Sequence, residues 1–315
     1  MGAVNTLINL IKIAPLARTA LSVPGALSVA AISDLPAAST VSGKIYVVTN
    51  PAANTRAIPW MVRSNGTIWE SVGAFQLLAA SAVAIGYVAP NNTTFGTPSA
   101  VSTGSNGTGG GAGSSTKITG VAAGSHGLTN AVSAGRYFNI TGGTGWTAGL
   151  VKIVDVDANS NIIEVDVPFT SQGIPTYSTK TAEVEILRIR VPPLNDNSFT
   201  NTDFSWLGTG STTKKLRLYH GATGEAFSTA DLYSDPNVTS GIGNGTVVTI
   251  ANKGSKTAQT TGMGTTTVSG RGAGSGTVGV GTNDTSVATD LIFTANPGTN
   301  NEAIEMQRYY ITVAL

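Results

Sequence analysis

The chain has 315 residues, 41% of them hydrophobic, which is enough for two or three small domains with cores of their own. Only 11% of the residues are charged, less than half of the roughly 25% of an average soluble domain, and the net charge is +1. The basic residues are scattered along the sequence and form no cluster of the kind that binds nucleic acid. The chain has no cysteine, which excludes disulfides and thiol catalysis.

Residues 1–31 are predicted to form an N-terminal arm. Val4, Leu7 and Ile11 have helical spacing, and Pro15 limits such a helix to a few turns. The apolar run is too short to span a bilayer and lacks the charged start of a signal peptide. We therefore expect no membrane partner. The arm could pack on the neighbouring module or act as a dedicated anchor, and the sequence leaves both interpretations open.

Residues 32–80 are predicted to form a small β module. The predicted strands are Lys44–Thr49, Pro59–Arg63 and Thr67–Val72. Asn65-Gly66, between the last two strands, is a strong short-range signal for a β-hairpin turn. Trp60 and Trp69 flank this turn, in positions from which they could pack across the pair.

Three pieces of this module follow one another in a set order. They are Asp34-Leu35-Pro36, the strand Gly43–Thr49 and the tryptophan hairpin Asn65–Gly73. In this order and spacing they resemble a module that recurs in the tail and head fibres of tailed bacteriophages. The match covers a minority of the chain, which departs from the pattern at the longer insert Pro51–Arg56. The resemblance implies a modular, β-rich structural protein of a virion.

The middle of the chain is predicted to hold a linker and a second module. Residues 81–114 carry no charge and end in a run of Gly, Ser and Thr, which is typical of flexible linkers, although a packed loop stays open. Residues 115–180 are predicted to form a small barrel-like β module with alternating strands. Its His126-Gly127-Leu128 and Ile140–Leu150 segments resemble a barrel-like module common in phage structural proteins. Its predicted strands are Arg136–Thr141, Leu150–Val156 and Ile162–Val167.

Residues 181–315 are predicted to form a C-terminal β-sandwich, jelly-roll-like in its strand pattern. Turns rich in Gly, Asn and Asp separate the alternating segments. Three segments, Ile186–Val191, Lys215–Leu218 and the closing Tyr310–Val313, resemble a C-terminal sandwich of phage fibre and tail proteins. The predicted strands are Val184–Val191, Lys215–Leu218, Thr246–Ala251, Asp290–Thr294 and Tyr309–Ala314. The fold class expected for the whole chain is all-β.

Catalytic residue patterns are lacking in the sequence. The two histidines, His126 and His220, lie far apart and have no metal-ligand spacing. No G-x-S-x-G nucleophile motif occurs, and no repeat of the solenoid type presents a groove. We therefore expect a protein that is not an enzyme and needs no cofactor, with His126 as a loop residue that donates to the backbone.

Four carboxylates are the candidate metal ligands. Asp155 and Asp157 would share one face of a strand, and Glu164 and Asp166 one face of the next. If the strands pair, the four groups would cluster and need Lys152, Lys180 or a cation such as Ca²⁺ to offset their charge. A solvated hairpin face is the alternative and is favoured over a metal site.

Aromatic residues near neutral polar segments are candidates for contact with a sugar. Trp206, Phe204 and Tyr219 could stack on glycan rings, and packing in the core is the favoured alternative.

The resemblance implies a homotrimeric tail or head fibre that docks by its N-terminal part and serves host attachment. Its expected partners are other copies of itself, the capsid, portal or tail proteins and a host surface glycan, with neither nucleic acid nor membrane among them. Its expected location is the virion, assembled in the host bacterial cytoplasm. A capsid decoration protein is the alternative, favoured by the modest length, and a polysaccharide depolymerase is a third hypothesis.

Overall fold

Strands form nearly all of the regular structure in the computed structural model of the chain, so the fold is all-β as predicted. The structure describes residues 27–49, 60–71, 75–91, 115–119, 126–143, 146–156, 162–169, 175–235, 237–238, 243–263, 277–299 and 302–314. The strands are β1 (Leu27–Val29), β2 (Ile45–Val48), β3 (Trp60–Ser64), β4 (Trp69–Ser71), β5 (Phe75–Ser81), β6 (Ile85–Val88), β7 (Ser115–Thr119), β8 (Tyr137–Gly142), β9 (Gly149–Val156), β10 (Ile162–Phe169), β11 (Thr176–Tyr177), β12 (Val184–Val191), β13 (Phe199–Gly208), β14 (Lys214–Ala222), β15 (Asp231–Ser234), β16 (Asn237–Val238), β17 (Gly243–Asn252), β18 (Gln259–Met263), β19 (Thr277–Gly281), β20 (Thr289–Asn296) and β21 (Ala303–Ala314). The described residues add one short helix, α1 (Asn130–Ser133), and two 3-10 turns (Ile32–Asp34 and Ala38–Thr40).

The strands form three sheets. A four-stranded sheet has the order β1-β2-β3-β4, with β1 and β2 parallel. A twelve-stranded sheet has the order β19-β18-β17-β13-β21-β6-β8-β9-β10-β7, with β11 on β8 and β5 on β21. A five-stranded sheet has the order β12-β20-β14-β15, with β16 on β14. The helix predicted in the N-terminal arm lies outside the described residues, and within them no helix has the length and apolar character to cross a membrane.

The Asn65-Gly66 turn joins β3 to β4, so the hairpin prediction is confirmed. The Asn65 side-chain oxygen accepts the backbone N–H groups of Thr67 and Ile68, both at 2.9 Å. Gly66 has φ +90°, a left-handed conformation that glycine adopts without strain. Local Asn-Gly chemistry therefore sets this turn.

Trp69 anchors the four-stranded sheet to the segment that precedes it. Its ring meets Tyr46 edge-on, with 5.1 Å between the ring centroids, and its indole N–H donates to the Pro36 carbonyl at 2.9 Å. Trp69 was predicted to pack across the strand pair onto Trp60, but the Trp60 side chain is not among those that the structure describes. The Asp-Leu-Pro segment and the tryptophan hairpin thus contact each other in the fold.

The predicted boundary between module and linker differs from the observed strands. β5, at the end of the predicted module 32–80, and β6, inside the predicted linker 81–114, both pair with β21 of the twelve-stranded sheet. Tyr87 and Val88 of β6 are fully buried. The start of this uncharged segment is therefore a core strand, and its part from residue 92 onward lies outside the described residues.

β21 connects the second module to the C-terminal sandwich. One edge of β21 pairs with β13 along Ile304–Ala314, and the other edge pairs with β5 and β6. β6 in turn lies parallel to β8 at Tyr87 and Tyr137. One sheet therefore runs from the sandwich into the module of residues 115–180. That module has a separate core built from Val88, Ile118, Leu128, Phe138, Ile140, Ile153, Val156, Ile163, Val165, Tyr177 and Ala303.

The C-terminal domain is a two-layer sandwich. The five-stranded sheet packs its inner face against the β17-β13-β21 part of the larger sheet. Phe204 on β13 meets Phe293 on β20 edge-on, with 5.3 Å between the ring centroids, and Trp206 is fully buried beside them. Each such side chain stabilises the fold by about 1.5–3 kcal/mol relative to exposure.

Gly298 follows β20 where only a glycine fits. Its φ is +80°, and an added Cβ would overlap the Thr213 carbonyl oxygen. Gly224 has φ +77°, and a Cβ added there would meet no atom within 4 Å. Alanine at Gly224 therefore strains the backbone in the same way as alanine at Gly298 but causes no clash. We expect Gly298→Ala to lower the free energy of unfolding by about 1 kcal/mol more than Gly224→Ala, measured by urea denaturation. An equal loss of unfolding free energy in the two variants would mean that the backbone at Thr213 moves away from the new Cβ at no energetic cost.

Candidate functional site

Both histidines are buried and bonded within the fold. The His126 Nδ1 accepts the Leu128 backbone N–H at 3.0 Å, so at this nitrogen the side chain is an acceptor from the backbone. The His220 Nε2 lies 2.7 Å from the Thr289 hydroxyl. Burial lowers the pKa of His220 to about 4, because a charged imidazole would lose its hydration there. Neither ring is placed to exchange protons with a substrate.

Three of the four predicted metal ligands, Asp155, Glu164 and Asp166, lie on the β9–β10 pair. Asp155 stands directly opposite Glu164, but an extra residue at Val154 shifts the register before the next pair. The Asp166 carboxylate instead accepts the backbone N–H of Lys152 at 3.2 Å. Asp157 lies outside the described residues. Within those residues, no group of three or more potential ligands forms a metal site.

The three aromatic residues predicted as glycan contacts lie in or near the core. Phe204 and Trp206 are fully buried, and Tyr219 is 8% exposed, with its hydroxyl donating to Glu183 at 2.8 Å. A sugar cannot reach these rings from solvent in this structure. Their positions agree with the core-packing interpretation.

Charged side chains gather on one surface of the sandwich. Nine of the chain's 18 basic and 17 acidic residues lie on or over the outer face of the five-stranded sheet. The set, which we name the charged face, comprises Glu183, Glu185, Arg188, Arg190, Lys215, Arg217, Glu225, Asp235 and Asp290. About a quarter of the chain's charged residues thus lie on one face of one sheet.

Asp290 is the centre of one half of the charged face. Its carboxylate is 1% exposed and accepts from Arg188 at 3.0 Å, from Arg190 and from the Gly224 backbone N–H at 2.8 Å. Arg188 also binds Glu185 at 2.6 Å, and this hydrogen bond, with that to Asp290, raises the pKa of the guanidinium. The two arginines compensate the buried carboxylate.

Glu183 is the centre of the other half. It accepts from Arg217, from the Tyr219 hydroxyl at 2.8 Å and from the Thr294 hydroxyl. Arg217 binds Asp235 at 2.8 Å as well. Burial lowers the pKa of Arg217, but the hydrogen bond that its guanidinium donates to Asp235 and the negative charge of Glu183 outweigh burial and raise the pKa. Burial and the bond to Glu183 raise the pKa of Tyr219.

A separate ion pair joins the two layers of the sandwich. Lys214 on β14 is fully buried, and its Nζ lies 2.5 Å from a Glu302 carboxylate oxygen just before β21. Glu302 also accepts the Ser211 backbone N–H at 2.8 Å and the Thr212 hydroxyl. Burial would raise the pKa of Glu302, but these hydrogen bonds, that of Lys214 foremost, lower it. Sequence analysis missed this pair, since its members lie 88 positions apart and carry no motif.

The buried charges therefore serve the fold. Lys214, Asp290 and Glu302 are the charged side chains that are buried among the described residues, and each has a partner of opposite charge. A general acid or base instead needs an open side toward its substrate. The chain matches no family model and no curated protein.

Proposed function

We propose that the chain is a non-catalytic structural protein of a tailed-bacteriophage particle, a homotrimeric tail or head fibre used for attachment. The observation that carries the proposal is that the buried ionisable side chains form their ion pairs and hydrogen bonds with other residues of the chain. Asp290 and Glu183 are surrounded by partners within the chain, and so is the Lys214–Glu302 pair. Such an arrangement commits these ionisable groups to contacts within the sandwich.

The continuity of the large sheet also supports a structural role. β21 links the sandwich to the second module through β6 and β8, so a load on one module reaches the other through backbone hydrogen bonds. The modules of a projection must transmit force without turning about one another. The motifs at Asp34-Leu35-Pro36 and Asn65–Gly73 add the resemblance to fibre modules.

The low charge content of the chain, 11% of its residues, suits self-association. Short neutral side chains lose little rotamer entropy when a neighbour covers them, whereas Lys and Glu lose up to about 2 kcal/mol each. Three copies would bring their attachment surfaces together, and weak contacts would then add up to avidity.

Mass and particle location test the proposal. We expect sedimentation of the purified chain at three times its 31.9 kDa and a band at that mass in SDS without boiling. We also expect antibody labelling of projections on the intact particle by electron microscopy. A monomer that releases reducing sugar from host polysaccharide would overturn the proposal in favour of a depolymerase.

The length of 315 residues favours one further candidate, a capsid decoration protein, since fibres that span long distances need more chain. Such a protein binds empty heads and raises the temperature at which they rupture. Labelling on the head facets, with no label on tail or vertices, would select this alternative.

A further inference from the structure

The outer face of the large sheet carries an exposed cross-strand row. Tyr310 on β21 lies directly opposite Asp203 on β13, which lies opposite Val247 on β17. The next row along the strands places Thr312 opposite Asn201. Side chains directly opposite one another are about 4.5–5.5 Å apart at Cβ, so both rows form one surface.

Tyr310 is the aromatic platform of this surface. Six large apolar side chains are well exposed among the described residues, and Tyr310, at 45%, is the aromatic one of the six. Its neighbours in sequence, Tyr309 and Ile311, point into the core. The ring is therefore fixed on a rigid central strand while much of it faces solvent.

Hydrogen-bonding groups flank the platform. The Arg308 guanidinium lies 3.6 Å from the Asp203 carboxylate, and their side chains are 57% and 32% exposed. The Thr249 hydroxyl donates to the Asn201 side-chain oxygen at 2.9 Å. Arg308 and Asp203 keep donor and acceptor positions toward solvent. We name Asn201, Asp203, Thr249, Arg308, Tyr310 and Thr312 the Tyr310 patch.

We propose that the Tyr310 patch binds a neutral hexopyranose of a surface polysaccharide. The apolar face of the sugar stacks on the Tyr310 ring, as flat C–H surfaces do on aromatic rings. Asp203 accepts from one hydroxyl and Arg308 donates to its neighbour. The two charges cancel, so the patch favours an uncharged sugar over an anionic one. The inference rests on the attachment role proposed above and names its ligand class.

A protein partner fits this surface less well. Protein interfaces need an apolar centre that is closed to water. Here Tyr310 is the one large exposed apolar side chain, with polar side chains such as Asp203 and Asn201 on its β13 side and Ala80 opposite it on β5. A single ring with polar groups along one side matches a sugar, whose apolar face stacks while its hydroxyls bond beside the ring.

Saturation-transfer NMR on the full chain tests the inference. The probes are maltohexaose, cellohexaose, methyl α-galactopyranoside and methyl α-mannopyranoside. We expect transfer to one or more of them, weakened on the order of tenfold in affinity by Tyr310→Ala. Tyr310→Phe keeps the ring and should bind within about threefold of the parent. Val287→Ala, at a 55% exposed side chain outside the patch, is the matched control and should change nothing.

The outcomes separate this inference from the proposed function. No transfer to any probe, or equal transfer in the parent and Tyr310→Ala, overturns the sugar site even when antibodies place the chain on the particle. A Tyr310→Ala chain that sediments at a lower mass assigns the patch to contact between copies and also overturns it. Absence from the particle, with sugar binding that depends on Tyr310, instead overturns the virion role.

Discussion

Replacing Lys214 by methionine is expected to lower the free energy of unfolding by about 3 kcal/mol, close to the cost of breaking other buried ion pairs. Methionine is similar in length and apolar, so the packing against Gly208 beside the lysine stem is kept. What is lost is the positive charge next to Glu302, whose carboxylate stays between two layers of the sandwich. An unpaired buried charge explains most of the loss.

A double-mutant cycle isolates the pair. Glu302→Gln keeps an oxygen acceptor for the Ser211 and Thr212 donors while it removes the charge. The double variant Lys214→Met/Glu302→Gln should lose less than the sum of the single losses, by about 1–3 kcal/mol. Urea denaturation at neutral pH gives each value.

A surface pair provides the control for this cycle. Arg63 is 56% exposed and lies 3.8 Å from Glu70, so Arg63→Gln should cost less than about 1 kcal/mol. A loss for Lys214→Met no larger than that for Arg63→Gln would show that water reaches the buried pair and hydrates Glu302.

The strands that were predictable are those whose alternation matches their burial. Val184–Val191 was predicted with the bounds that β12 has, because its apolar residues face the core and its charged residues face out. The Asn65-Gly66 turn was predictable for a different reason, since its chemistry is local.

β13 was missed although it is central to the sandwich. Its inner face begins with Thr200 and Thr202, which are buried polar side chains, and only Phe204 and Trp206 continue the alternation with apolar groups. Burial at these positions is set by the facing sheet and not by the side chains themselves. Alternation of hydropathy therefore could not locate this strand.

The candidate sites depended on which face of a strand is turned outward. Alternation tells that Tyr310 and Arg308 share a face, but it does not tell whether that face or the one holding Tyr309 meets solvent. The predicted sugar contacts, Phe204 and Trp206, lie on the inner face of β13, opposite the face of Asp203. Only the packing of the two layers decides between the faces.

Acidification is expected to destabilise the sandwich through His220. The pKa of this histidine is lowered by burial to about 4 in the folded chain, with Asp290 and Glu225 opposing the shift in part, against about 6.5 when unfolded. Between these values the unfolded chain binds the proton and the folded chain does not. Stability is therefore complete above about pH 6.5 and falls as the pH drops, by on the order of 3 kcal/mol at pH 4.

The surroundings of His220 explain why the folded chain resists this proton. Its Nε2 is bonded to Thr289, the Tyr233 ring covers it edge-on at 5.9 Å between centroids, and its Nδ1 has no hydrogen-bond partner among the described residues. A second N–H would therefore be a buried donor with no acceptor.

His220→Gln separates this histidine from every other titrating group. Glutamine keeps a partner for Thr289 but cannot take up a proton, so the difference in unfolding free energy between the parent and the variant should change by about 1.4 kcal/mol per pH unit between pH 6 and 5. His126 and the carboxylates are present in both chains, so their contributions cancel in that difference. Urea denaturation at pH 7, 6, 5 and 4 measures it. A difference that stays constant from pH 7 to pH 4 would mean that His220 takes up its proton in the folded chain as readily as in the unfolded one, and hence that water reaches the imidazole.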